Sequence, residues 1–218
     1  MTEQMTLVLN GTGKTGRRIV ERLRERGVPT RVGSRRGEPP FDWQDRSTWA
    51  PALEGVTSAY VSFFPDLAVP GAPAAVRAFA ELAAERGVRR LVLLSGRGEE
   101  EAERAEQDVR AVSPDATILR RAWFCQNFSE DFMAGAVASG VVALPVDAVR
   151  EPFVDTDDVA DVAVAAHDRD EGERRLVLDP DRPRRVHDHA QQERLPRTWP
   201  VEKAGDRVHD PATIDARV

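Results

Sequence analysis

The chain is short of four things, and each shortage excludes a class of protein. One cysteine, Cys125, among 218 residues can form neither an internal disulfide nor a zinc cluster. No apolar run reaches the roughly 18 residues that a membrane span requires, and no charged-then-apolar leader opens the sequence, so the expected address is the cytoplasm. Basic charge is in deficit: 31 Lys and Arg against 37 Asp and Glu leave a net charge of −6. The arginines are scattered, which argues against a nucleic-acid partner. Tyrosine and lysine are almost missing, with Tyr60, Lys14 and Lys203 as the complete set. A Tyr and a Lys one helical turn apart are therefore impossible, because Phe64 stands four places after Tyr60.

What is present alternates. Short apolar runs predict strands at Met5–Leu9, Thr30–Val32, Ala59–Phe64, Leu91–Ser95, Thr117–Leu119, Val141–Leu144 and Leu176–Leu178. Amphipathic stretches predict helices near 15–26, 73–86, 99–112, 127–139 and 157–168. Two of these helices end in the same phrase, Glu25-Arg-Gly-Val28 and Glu85-Arg-Gly-Val88, whose glycines suit the left-handed cap that returns a chain to a strand. Strands and helices taking turns, joined by right-handed crossovers, give an α/β doubly wound parallel sheet, the Rossmann fold, over residues 1–178.

Residues 179–218 read differently. Only 11 of these 40 are apolar, with five prolines and three of the four histidines, and no helical or strand period survives. The expectation is a weakly ordered tail; an ordered fragment of a substrate lobe is the alternative. His187, His189 and His209 have no spacing support as metal ligands, so no metal site is expected.

Immediately after the first strand the sequence runs Asn10-Gly11-Thr12-Gly13-Lys14-Thr15-Gly16, which is G-x-G-x-x-G between a strand and a helix. In that context Gly11 permits the tight turn, Gly13 lets the backbone approach a pyrophosphate, and Gly16 lets helix and strand pack closely. Thr12, Lys14 and Thr15 complete the expected cofactor loop, whose amides and helix dipole hold negative charge. A triphosphatase phosphate loop is the competing pattern. It fails because Val8, inside the strand, occupies the position of its first glycine.

The dinucleotide follows from the end of the second strand. An NAD-binding chain places a carboxylate there for the ribose, whereas this one has Ser34, Arg35 and Arg36. Two guanidinium groups match the 2′-phosphate of NADP, so NADP is expected over NAD. Two arginines on a solvated loop are the alternative.

These features, with Phe41-Asp-Trp43, Leu93-Leu-Ser-Gly-Arg-Gly98, Leu119 to Phe128 and Glu151 to Asp161, make the chain similar to the NmrA-like branch of the atypical short-chain dehydrogenase/reductase superfamily over about residues 5–178. The family usually carries Gly where Asn10 stands, a departure that a residue tolerant of left-handed backbone can absorb. The resemblance implies NAD(P) bound across the carboxyl ends of the strands. It implies adenine-ribose near Ser34 and Arg35, ribose and nicotinamide near Phe63, Phe64, Pro65, Ser95 and Gly96, and Asn127 closing the far side. Family chains continue past Leu178 with a substrate lobe that this tail does not resemble, which suggests a truncation or a frame change near Asp179 and a reduced or incomplete lobe.

The chemistry is constrained by what is missing. Hydride transfer comes from the nicotinamide, but the accompanying proton cannot come from a Tyr–Lys pair. Ser95 is expected to orient the substrate, and Arg97 or Glu99 on the same loop to polarise a carbonyl or quinone oxygen. The run Glu99 to Glu106 otherwise reads as an exposed helix face. Asp155, Thr156 and Asp158 read as a helix cap, and His167 as a complement to that helix's dipole. Trp123 and Phe128 read as core or pocket wall. Two functions remain open: an NADPH-dependent oxidoreductase acting on a quinone or similar carbonyl or enone, and a dinucleotide sensor that regulates a protein partner.

Overall fold

A computed structural model describes residues 5–143 and 152–167, together with the backbone of 177–178. They fall into two compact units. One lies within Met1–Arg121 and Asp157–Asp179, the other within Ala122–Thr156 and Pro180–Val218. The tail 179–218, with its three histidines, and Leu144 of one expected strand lie outside the described residues. Among the described residues no helix is long and apolar enough to cross a membrane.

The first unit is built on a six-stranded parallel sheet in the order β2-β1-β3-β4-β5-β8. Its strands are β1 (Met5–Leu9), β2 (Thr30–Gly33), β3 (Val56–Val61), β4 (Arg90–Gly96), β5 (Thr117–Arg121) and β8 (Val177–Leu178). Helices α1 (Lys14–Glu25), α3 (Ala72–Glu85), α4 (Glu100–Val112) and α7 (Thr156–His167) alternate with them, as the apolar runs and amphipathic stretches predict. α1 turns its Ile19, Val20 and Leu23 stripe inward. The repeated Arg-Gly-Val phrase behaves the same way twice. Gly27 and Gly87 take φ of 71° and 84°, and the amides of Val28 and Val88 reach back to the carbonyls of Leu23 and Ala83 at 2.9 Å.

Strand order reverses between β1 and β3, so the crevice available to a ligand opens above the carboxyl ends of those two strands. β3 ends three residues earlier than its apolar run suggests. The carbonyl of Ser62 is taken by two side chains, Asn10 Nδ2 and Trp43 Nε1, each at 3.1 Å, which draws the chain out of the ladder after Val61.

Below the helical layer lies an aromatic cluster. Phe79 of α3 is fully buried, with ring centroids 5.7 Å from Phe41, 5.4 Å from Trp43 and 5.9 Å from Trp49. Trp49 begins α2 (Trp49–Ala52), a short helix that sequence periodicity does not signal. On the opposite side α1 and α7 are laced by Arg18 to Asp157 at 2.9 Å, Arg22 to Asp157 at 2.8 Å, and Arg22 to Asp161. These pairs are partly exposed and contribute little each.

Both ends of α7 are held by side-chain hydrogen bonds. Its first amide, of Thr156, donates to Gln126 Oε1 at 2.9 Å, while Gln126 Nε2 donates to Asp155 at 2.8 Å. The cap is therefore supplied in part by a residue remote in sequence. At the far end, the His167 ring is buried between the Thr6 and Ser58 hydroxyls at 3.2 and 3.0 Å, tying α7 to β1 and β3.

The second unit contains β6 (Trp123–Phe124) paired with β7 (Phe153–Val154), and the short helices α5 (Asn127–Glu130) and α6 (Ala134–Ala138). The single helix expected over 127–139 is broken at Asp131, whose backbone is extended. Val141–Ala143 form no strand. Phe153 packs against Trp123 and Phe128, with centroids 6.2 and 5.4 Å away.

Candidate active site

The glycine loop occupies the crevice between β1 and β3. Its left-handed residue is Asn10, at φ 51°, the position where the resembled family carries glycine. The Asn10 side chain repays this conformation by donating to the Ser62 carbonyl, which fastens the loop to the end of β3. Gly11 is pressed against β2: a Cβ there would lie 2.9 Å from both Val32 Cγ1 and the Val8 carbonyl. Gly13 precedes α1 and, having no side chain, does not itself cap the helix. At Gly16 a Cβ would lie 2.1 Å from the Asn10 carbonyl oxygen, so only glycine lets the first turn of α1 come this close to the strand end. The result is a helix N-terminus, with its amides and positive dipole end, aimed across the mouth of the crevice.

Lys14 opens α1 and Thr15 is buried under it. Thr15 Oγ1 accepts from the hydroxyl of Tyr60 at 3.2 Å. Full burial pushes the Tyr60 phenol well above its ordinary value, against the opposing influence of Thr15 and Arg121. The only tyrosine is thus a buried structural group, unsuited to give a proton to a ligand.

At the end of β2, Ser34 accepts from the Gly37 and Phe41 amides, both at 2.9 Å, closing a turn whose two central residues are Arg35 and Arg36. Both guanidinium-bearing residues are exposed. Arg31 is not: it donates to the Ala52 and Glu54 carbonyls at 2.8 and 2.7 Å and belongs to the scaffold. At the end of β3, Phe63 leans on Trp43 with ring centroids 4.9 Å apart, while Phe64 is 60% exposed and Pro65 follows it.

The loop after β4 holds the main surprise. Ser95, expected to face a substrate, is 1% exposed and donates its hydroxyl to Glu106 at 2.6 Å. Glu106, expected on an exposed helix face, is 1% exposed and receives Arg120 through both oxygens, at 2.8 and 2.6 Å. The orienting role expected of Ser95 therefore has no geometric basis, because its hydroxyl points into the α4 layer. Strand parity explains it, since Leu91, Leu93 and Ser95 share one face of β4 and the first two are core. Ser95→Ala should cost about 1.5–3 kcal/mol in urea unfolding, the value of a hydrogen bond to a charged group, and leave dinucleotide affinity unchanged.

Beyond Ser95, Gly96 carries no side chain and the Glu99 carboxyl fills the vacated space. Arg97 is half-buried, its amide bonded to the Arg121 carbonyl at 3.0 Å. Arg121 Nη2 in turn meets Asp66 Oδ2 at 2.9 Å. Burial raises the Glu99 carboxyl above its ordinary value; Arg121 opposes this and Asp66 adds to it. Asn127 opens α5 in the second unit.

No family model matches the chain. It is 30% identical to prestalk A differentiation protein A of Dictyostelium discoideum, over 74% of this chain and 59% of that protein. It is 30% identical to agroclavine dehydrogenase of Claviceps fusiformis, over 74% of this chain and 63% of that enzyme. The chain thus spans about three-fifths of the length of these relatives. Among solved structures, a short-chain dehydrogenase/reductase superfamily protein of Agrobacterium tumefaciens with bound NAD superposes with a TM-score of 0.56 at 18% identity, covering 74% of this chain and 73% of that one. The triphenylmethane reductase of Citrobacter complexed with NADP(H) superposes with a TM-score of 0.59 at 14% identity, covering 77% and 66%. Both likenesses establish the Rossmann fold.

Proposed function

We propose that this chain, which shares the Rossmann fold of short-chain dehydrogenase/reductase proteins and is 30% identical to agroclavine dehydrogenase, is an NADPH-dependent oxidoreductase of the NmrA-like branch of the atypical short-chain dehydrogenase/reductase superfamily, reducing a quinone or a similar small carbonyl or enone. The observation that carries this reading is the approach of α1 to Asn10 at Gly16, which sets a helix N-terminus, preceded by a glycine rather than by a capping side chain of its own, at the crevice. A diphosphate fits that arrangement. Gly11, Thr12, Gly13, Lys14, Thr15 and Gly16 would hold it, and Ser34, Arg35 and Arg36 the adenosine end. Phe63, Phe64, Pro65 and the Ser95–Gly96 backbone would border the nicotinamide ribose.

Bound there, reduced nicotinamide supplies two electrons and a hydrogen. The chain's own task is to orient the acceptor and provide a proton. A quinone suits a site whose sole tyrosine is committed to Thr15, since a reduced quinone is a weaker base than an alkoxide and needs less acid help.

The NADP preference rests on Arg35 and Arg36, exposed on one turn with no carboxylate from Arg31 to Arg36. In calorimetric titrations, Arg35→Ala should weaken NADPH binding about 10- to 100-fold, one charge-assisted contact, and leave NADH binding nearly unchanged. Equal losses for both coenzymes would reject the preference.

The engagement of the Tyr60 hydroxyl with Thr15 favours a second reading, a dinucleotide sensor that turns nothing over. NADPH oxidation with a panel of quinones separates the two: turnover by the purified protein supports the enzyme, and binding without turnover the sensor.

A further inference from the structure

Among the described residues at the carboxyl edge of β3, β4 and β5, the Ser62 hydroxyl accepts from Asn10 Nδ2 at 3.4 Å, and of four other groups that could give up a proton three are committed elsewhere. Tyr60 is held by Thr15. Ser95 is held by Glu106. Asp66 accepts from the Ala68 amide at one oxygen and from Arg121 at the other, both at 2.9 Å. The fourth is Glu99. Its Oε2 is buried and has no hydrogen-bond partner among the described residues. It lies over the bare Cα of Gly96, where a Cβ would come within 1.6 Å of that oxygen.

We propose that the Glu99 carboxyl is the proton donor of the reduction, aimed over Gly96 at the acceptor oxygen and backed by Arg121. This rests on the oxidoreductase reading above. The carboxyl O–H bond breaks as the acceptor O–H bond forms. The two electrons and the hydrogen from reduced nicotinamide complete the acceptor's reduction, and water returns the proton to Glu99. Arg121 suits the carboxylate left behind, and Asp66, bonded to Arg121, keeps that guanidinium from ionising Glu99 beforehand. Arg97 precedes Glu99 on the same loop, and Glu100, Glu101 and Glu103 follow it as the acids of the first turn of α4. Burial favours the protonated form, as a general acid requires. The Glu99 carboxyl would thus fill the place left empty by the missing Tyr–Lys pair.

The sign of the pH dependence follows. A donor works while protonated, so kcat should fall as pH rises through the Glu99 midpoint. Glu99→Gln keeps the shape and removes the proton. It should lower kcat with NADPH and a quinone by about 10²-fold or more, erase that limb of the pH profile, and leave NADPH affinity unchanged. Glu99→Asp should recover part of the rate. An independent readout needs no cofactor: in ¹³C-glutamate NMR of the ligand-free protein, the resonance absent from Glu99→Gln should titrate above the ordinary value of about 4.3. A midpoint at or below that value overturns the assignment. So does a folded Glu99→Gln protein that keeps the wild-type rate and pH profile, and in that case the oxidoreductase reading stands. A wild-type protein that turns over no acceptor overturns both.

Discussion

Alanine at position 16 should lower both stability and dinucleotide affinity, and by more than a single methyl group ordinarily does. The new Cβ would lie 2.1 Å from the Asn10 carbonyl oxygen and 2.7 Å from Gly11 Cα, both backbone atoms of a loop already fastened to β3 through the Asn10 side chain. No rotamer change relieves a clash between two backbones, so the first turn of α1 must back away. Overpacking of this kind costs about 1–3 kcal/mol, and a chain of this size loses roughly 2–4 °C of Tm per kcal/mol. Displaced amides lose their charge-assisted contacts to a diphosphate, each about 1.5–3 kcal/mol, so NADPH affinity should fall about 10- to 100-fold or further. A thermal melt and a calorimetric titration of Gly16→Ala check both halves. Wild-type affinity in the variant would mean that the amides of α1 do not hold the ligand.

The second large effect belongs to the buried network of Ser95, Glu106 and Arg120. Arg120→Leu would leave the Glu106 carboxylate, 1% exposed, with the Ser95 hydroxyl and without its guanidinium. Removing one partner of such a pair costs about 3–5 kcal/mol, because an uncompensated charge stays behind. The double variant Arg120→Leu/Glu106→Leu should recover most of the loss, since well-packed apolar groups often replace a buried pair without penalty. Urea unfolding of the three proteins measures it. A loss below about 1 kcal/mol in the single variant would show that water reaches Glu106.

The course of the chain was readable from periodicity wherever an element was long. β1 matches its expected limits at both ends, and α1, α3, α4 and α7 fall within a residue of theirs. The short pieces were not readable. α2 and the break between α5 and α6 depend on tertiary packing and a local backbone turn, which leave no repeating pattern. The glycine loop was legible as a motif, but the division of labour within it was not: the left-handed conformation falls on Asn10, and Gly11 serves close packing against Val32.

The misplacement of Ser95 and Glu106 had a signal that composition hid. Ala102, Ala105, Glu106 and Val109 form the buried stripe of α4 at helical spacing, and Glu99 extends it by one turn. A run dense in glutamate looks solvated as a whole. Resolved by face, two of its acids turn toward the sheet, one paired with Arg120 and the other lying over Gly96.

The most direct measurement is calorimetric titration of the folded wild-type protein with NADPH and with NADH. The account predicts a saturable one-site heat with NADPH and weaker binding of NADH, with the NADPH heat sharply reduced in Gly16→Ala. No heat with either coenzyme would contradict it at its base.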